Sequence, residues 1–278
     1  MNIKVHYKEK LYFIIMTVFS IFTYAVVLLN AKAVLQNRTA VIYICIAIAL
    51  VVLSFLGSFL LVSALKGNAI KVTARQFPEI FAILEAHSQK LGLKKTPDTY
   101  LLQAGGMLNA FATKFARKNY VVLYSSILEI AYQEGIDAVS FIIGHELGHI
   151  QRNHTSFLKY LLILPANFIP FLSSAYSRAR EYTCDNIGYN LCPQGALKGI
   201  LVLAAGKQLY KKVNIQELLE NTKHESKFVI SFAEIFSTHP VLVKRIATIH
   251  KLNLENIVPE SPLFFGSKID RKQTEANQ

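Results

Sequence analysis

The sequence of 278 residues predicts an α+β fold: a mainly helical domain with a small antiparallel sheet, preceded by an N-terminal hairpin of two transmembrane helices. Three observations carry this prediction. Two long apolar runs lie in the first quarter of the chain. Three short stretches rich in aromatic and aliphatic residues follow between residues 99 and 124, separated by Gly105-Gly106 and Lys118-Asn119. Most of the remaining sequence, up to about Asn253, carries apolar residues at helical spacing.

Residues 1–65 read as the hairpin. Leu11 to Leu29 is almost unbroken apolar sequence, and Ala40 to Leu65 is a second, longer run ending at Lys66; each is long enough to cross a bilayer. A cleaved signal peptide is the poorer reading of the first run, because its apolar core is too long and no small-residue cleavage site follows. The hydrophobic fraction of 52% and mean hydropathy of +0.32 are high for a soluble chain. The net charge of +12 suits an anionic membrane surface. No basic stripe with interleaved aromatics appears, so no nucleic-acid partner is expected. Neither run carries an ionisable residue, which argues against a transporter or channel.

Basic residues set the expected orientation. Lys4, Lys8 and Lys10 precede the first span, Lys66, Lys71 and Arg75 follow the second, and the connecting loop has only Lys32 and Arg38. The positive-inside rule then places both ends in the cytoplasm, giving a multi-pass protein of the cell membrane with a cytoplasmic domain. Three cysteines, Cys45, Cys184 and Cys192, do not make a disulfide framework.

The domain is expected over residues 66–257, with 258–278 a polar tail. Pro78 to Leu91 reads as its first helix, with Ile80, Ile83 and Leu84 on one face and Gly92 ending it. Strands are expected at Thr99–Gln103, Ala110–Phe115 and Tyr120–Tyr124. Ser126 with Glu129 resembles a capping box, and Gly135 the end of that helix. Asp137 is the expected N-cap of the next helix, which runs through Ile150.

That helix contains His145-Glu146-Leu147-Gly148-His149, an H-E-x-x-H sequence. Residues four apart share a helical face, so both imidazoles can reach one ion, with Glu146 beside them as a general base. The bland alternative is a buried helix whose histidines bond carbonyls, but two buried histidines and a glutamate would be costly to leave unpaired. Catalytic zinc takes three protein ligands, so a third must come from elsewhere. Glu181 is the best candidate, with Asp185 four residues on to orient a ligand histidine. Taken alone, residues 177–185 read better as an ordinary solvated helix.

At this point the sequence resembles the HtpX-like zinc metallopeptidases, membrane-associated gluzincins related to the CaaX prenyl protease. Five blocks match in order: Gln76-Phe77-Pro78-Glu79, Asn109-Ala110-Phe111-Ala112, Gly144 to Ile150, Arg180-Glu181 with Asp185, and Ser237-Thr238-His239-Pro240 followed by Arg245-Ile246. The resemblance covers roughly Lys66 to Leu252. It implies a gluzincin-type domain holding one Zn2+, with His145, His149 and Glu181 as ligands, Glu146 as base and Asp185 behind the ligands. It also implies that Asn109 binds substrate backbone, and that His239 and Arg245 sit over the site and stabilise an oxyanion.

The expected function is that of a membrane-anchored zinc endopeptidase acting on polypeptides, membrane proteins under quality control among them. The alternative is a catalytically silent membrane scaffold that keeps the fold. Some relatives carry two further spans between the metal helix and the third ligand. Here Phe157 to Tyr176 is broken by Pro165, Asn167 and Pro170 and has about half of the roughly forty residues two crossings need. His149 and Glu181 must lie on one side of the membrane to share an ion. The segment is therefore expected to be a kinked helical hairpin packed on the domain or dipping into the lipid interface.

Overall fold

The computed structural model describes the chain except residues 1–4, 104, 106, 108, 225–231, 233 and 258–278. Lys4, Gly106 and the expected polar tail thus lie outside the described residues. Two long helices come first, α1 (Tyr7–Leu29) and α3 (Arg38–Asn68), joined by the short α2 (Ala31–Gln36). Among the described residues these are the two helices long and apolar enough to cross a membrane. At 1.5 Å per residue, α1 is about 34 Å long and α3 about 46 Å. Their large apolar side chains, Phe22, Leu28, Ile42, Phe55 and Leu60 among them, stand exposed. Water would not tolerate so much continuous apolar surface, whereas lipid does.

α3 leads directly into the sheet. β1 (Ile70–Lys71), β2 (Asp98–Leu102), β3 (Ala110–Phe115) and β4 (Lys118–Tyr124) lie in the order β1-β2-β4-β3. The sheet is mixed rather than purely antiparallel: β1 with β2 and β3 with β4 are antiparallel, but β2 and β4 are parallel, with Thr99 opposite Val121. The cause is burial. β4 is buried on both faces, its Val121 and Leu123 in the domain core and its Tyr120 and Val122 against Val62 and Leu65 of α3. So doubly apolar a strand takes the centre, between two partners, and β3 is left on the edge. The β3–β4 turn falls at Ala116-Arg117, both with positive φ (46° and 68°), one step before the expected Lys118-Asn119.

α4 (Pro78–Lys90) ends at Leu91, with Gly92 at φ 67° completing its C-terminus. α5 (Ser125–Glu134) starts two residues earlier than a cap at Ser126 requires; Ser126 is buried in its first turn and no side chain caps the helix. Gly135 does end it, at φ 93°. α6 (Asp137–Gln151) has Ile136 at its N-cap, so Asp137 stands in the first turn, where its charge still favours the helix N-terminus. α6 is buried from Ala138 to Gly148, because most of these residues are apolar and neighbours cover every side, the polar His145 and Glu146 included.

Phe157 to Tyr176 holds no helix long and apolar enough to cross a membrane. It forms α7 (Phe157–Leu162) and a 3-10 turn (Pro165–Phe168) before α8 (Leu172–Leu191). The prolines break it as the sequence suggests, and it packs along α1. Ile163, Ala166 and Tyr176 surround Met16, the Ala166 N–H donates to Ser20 Oγ (3.2 Å), and the Tyr24 hydroxyl donates to the Leu161 carbonyl (2.6 Å). α9 (Pro193–Leu209), α10 (Ile215–His224) and α11 (Leu242–Ile257) complete the domain, with α9 and α11 closing over α6 and α8.

Candidate metal centre and active site

Two helices make the centre. α6 presents His145 and His149 on one face, four residues apart, and α8 brings Glu181 and Asp185 across from it. The approach depends on glycine. A Cβ on Gly144 would stand 3.1 Å from the Gly188 Cα, and one on Gly148 would stand 3.3 Å from Cys184 Sγ. Bare backbone at these points lets α8 lie close enough for a glutamate to reach the imidazoles.

The donor atoms form a triangle. Nε2 of His145 and Nε2 of His149 are 3.3 Å apart, and each lies 3.5 Å from a different oxygen of Glu181. Metal–ligand bonds of about 2.0–2.2 Å at tetrahedral angles put neighbouring ligand atoms about 3.3–3.6 Å apart. The three side chains therefore fit one face of a tetrahedral ion, and the fourth direction opens into a cavity of about 290 Å³. A larger cavity of about 720 Å³ lies behind α8 and reaches Asp185, but neither imidazole nor Glu146 lines it.

Charges agree with this arrangement. Burial works against a charged His145, but Asp185 and Glu181 outweigh it and hold its ring up at about 10. Burial, and then the charge on His145, push His149 well below its ordinary value. Glu181 is driven below the carboxylate range, its burial overcome by the two histidines. Two imidazoles facing one ionised carboxylate thus offer two nitrogens and an oxygen to a dication, which would displace the extra proton of His145. His145 Nδ1 lies 2.9 Å from Asp185 Oδ1, which fixes the ring so that Nε2 faces inward.

Glu146 lies beside the triangle, buried, facing the backbone of Ala112 on edge strand β3. Burial pushes its carboxyl up to about 7, Glu181 adding to the effect and His145, Ala112 and Arg245 opposing it. A second group of donors, His149, His154 and Cys184, also lies close together. Burial, then nearby Glu181, pushes the Cys184 thiol far up, so it keeps its proton, and a protonated thiol is a poor ligand.

The other expected residues surround the same cavity. Asn109 precedes β3; its carbonyl accepts from the Tyr124 N–H (3.0 Å), and its side chain is exposed. His239 is exposed on the rim, its Nδ1 3.1 Å from the Thr238 hydroxyl. Arg245, on α11, lines the cavity with two of its nitrogens committed to Asp185: Nε to Oδ2 at 2.8 Å and Nη2 to Oδ1 at 2.6 Å. That clamp joins residues 60 apart and was not legible from spacing. Reading the sequence also missed Arg178, which donates to the carbonyls of Glu234 (2.6 Å) and Ser237 (2.7 Å) and so holds the segment before His239. Its place in the 177–185 helix, seven residues ahead of Asp185, was the available signal.

Comparison with known proteins follows from these residues. The sequence matches peptidase family M48 over residues 74–165 and 156–253, a stretch that includes β3, α6, α8 and Arg245. No curated protein matches it. Among solved structures it is similar to the crystal structure of S. mikatae Ste24p, at 15% identity and a TM-score of 0.49, over 89% of this chain and 67% of that one. The family match takes in more than half of the chain and every donor of the triangle, and the two helices ahead of it expose an apolar surface suited to lipid: the chain belongs to peptidase family M48, and it is a membrane metallopeptidase.

Proposed function

We propose that the protein is a zinc-dependent endopeptidase of the cell membrane, with one Zn2+ held by His145, His149 and Glu181 and with Glu146 as general base. The observation that carries this reading is the triangle of two Nε2 atoms and one carboxylate, with edges of 3.3 and 3.5 Å, beside a buried glutamate. Two nitrogens and one carboxylate at tetrahedral spacing favour zinc over oxygen-seeking Mg2+ or Ca2+. Zinc held by these residues would supply Lewis-acid chemistry, polarising a peptide carbonyl and acidifying a water.

The chain's own residues do the rest. A polypeptide lies along edge strand β3 as an added antiparallel strand, bonding its backbone, with Asn109 binding the substrate's main chain. Glu146 takes a proton from the attacking water and gives it to the leaving amine. His239 from the rim and Arg245 from α11 stabilise the negative charge that develops on the carbonyl oxygen. Asp185 holds His145, and Arg245 holds Asp185.

Residues 1–65 anchor the enzyme and residues 66–257 form its catalytic domain. Both ends of the hairpin lie in the cytoplasm. Substrates are polypeptides delivered at the membrane, membrane proteins under quality control among them.

The test uses the full-length chain purified in detergent. We expect about one zinc per chain, and casein hydrolysis that Glu146→Gln abolishes while keeping its metal. A zinc ratio well below one would undo the ligand assignment. Equal hydrolysis by wild type and Glu146→Gln would leave the scaffold reading standing.

A further inference from the structure

Glu9 lies in the first turn of α1 and is 3% exposed, at the head of an apolar helix long enough to cross a membrane. A carboxylate buried at that place is costly unless paired, which makes its partners informative. Its Oε1 accepts from Arg152 Nε (3.2 Å) and Nη2 (3.1 Å), and lies 3.1 Å from His154 Nε2. The His154 side chain is 1% exposed. Its other nitrogen, Nδ1, lies 3.1 Å from Nδ1 of His149, with the two rings edge to face at 71°.

The hydrogen positions follow by elimination. A carboxylate only accepts, so the His154 Nε2 bears the hydrogen given to Glu9. In a neutral ring its Nδ1 then holds the lone pair and accepts from His149 Nδ1–H. With that hydrogen in place, the lone pair of His149 is on Nε2, the atom turned toward His145 and Glu181. The chain path serves the same end. Asn153 adopts a left-handed conformation (φ 53°) after α6, and the His154 N–H donates back to the His149 carbonyl (2.9 Å), folding His154 under the ring it contacts.

We propose that Glu9, on the first membrane helix, is a positioning residue for the metal ligand His149, acting through His154. The inference rests on the reading of His149 as a ligand and extends it. Asp185 orients His145 directly, from within the domain. His149 is oriented by a relay that ends in the membrane anchor, so the anchor completes the centre as well as tethering it.

Partners of this kind are worth about 10–100-fold in metal affinity. The test measures zinc affinity of the full-length, detergent-solubilised chain by competition with a chromophoric chelator. It is made for wild type, Glu9→Gln, His154→Phe and the double variant, together with the visible spectrum of the cobalt-substituted proteins. We expect Glu9→Gln and His154→Phe each to weaken zinc about 10–100-fold and to shift the cobalt bands, and the double variant to lose no more than His154→Phe alone. His154→Phe leaves the Glu9–Arg152 pair in place, so it carries the test if Glu9→Gln does not fold.

A purely structural role would instead lower the thermal stability of the chelated Glu9→Gln protein while leaving zinc affinity and cobalt spectrum as in wild type. That result overturns the proposal, as do losses that multiply in the double variant. Wild type that binds no zinc would overturn the ligand reading first and this inference with it. Wild type that binds one zinc beside a Glu9→Gln protein of equal affinity overturns this inference alone.

Discussion

Gly188 on α8 lies so close to Phe141 on α6 that a Cβ added to it would stand 2.9 Å from the Phe141 carbonyl oxygen. Backbone cannot yield as a side-chain tip can, so Gly188→Ala must push α8 away from α6, and Glu181 and Asp185 move with it. We expect a loss of about 1–3 kcal/mol in the chelated protein and a weaker zinc affinity. Gly57→Ala, on α3 with open space around it, should change neither. Thermal unfolding and chelator competition on both variants make the check; parity between them would mean that the helix contact does not set the ligand geometry.

Arg245 clamps Asp185 with two hydrogen bonds, at 2.6 and 2.8 Å, and both side chains are nearly buried. Removing Arg245 leaves the buried Asp185 carboxylate with the His145 ring alone and its Oδ2 without this partner. We expect Arg245→Met to destabilise the protein by about 3–5 kcal/mol. Hydrolysis should fall further than stability alone explains, since His145 loses a fixed partner. Unfolding midpoints in denaturant, with activity measured well below them, would separate the two effects. A variant as stable as wild type would remove the clamp from the account.

How much of this could be read from the sequence depends on the range of the interaction. His145 and His149 were legible because the helical period alone puts them on one face, and Glu146, one residue on from His145, stays beside them. Glu181 and Asp185 carried the same four-residue signal but looked like surface charges until α8 was packed against α6. The glycines that permit this packing, Gly144, Gly148 and Gly188, gave no sign by spacing in one helix, because their meaning lies in the other. The strands were found, but the parallel pairing of β2 with β4 was not, since strand order follows from which strand is buried on both faces. Glu9 reads in sequence as a polar flank to an apolar run. Its tie to His154, 145 residues away, exists only in three dimensions.

The hairpin orientation makes a direct expectation. Asn37, between α2 and α3, would face the outside, and Lys211, after α9, the cytoplasm. In a chain with Cys45, Cys184 and Cys192 replaced by serine or alanine, a cysteine at position 37 should react with a membrane-impermeant maleimide in intact cells. A cysteine at 211 should react only after permeabilisation. The reverse pattern would place the catalytic domain on the other face and break the link between basic residues and topology.

Protonation of His145 sets the last expectation. Its ring, held up at about 10 by Asp185 and Glu181 against the effect of burial, is raised above the ordinary value of 6.5. A raised folded-state value means that folding favours the protonated ring. This contribution is complete below about 6.5 and is lost as the pH rises through about 10. Glu146, raised to about 7 from 4.5, acts with the same sign in a lower window, and Glu181 and Asp185, both lowered, matter only in acid. Chelated protein should therefore lose stability between pH 6.5 and 10. Zinc-loaded protein should lose less over the same interval, because a ligating imidazole is neutral throughout it. Melting temperatures across that range, with and without chelator, are the measurement. Two parallel curves would show that His145 carries no extra proton in the metal-free fold, and that the carboxylates around it balance their charge elsewhere.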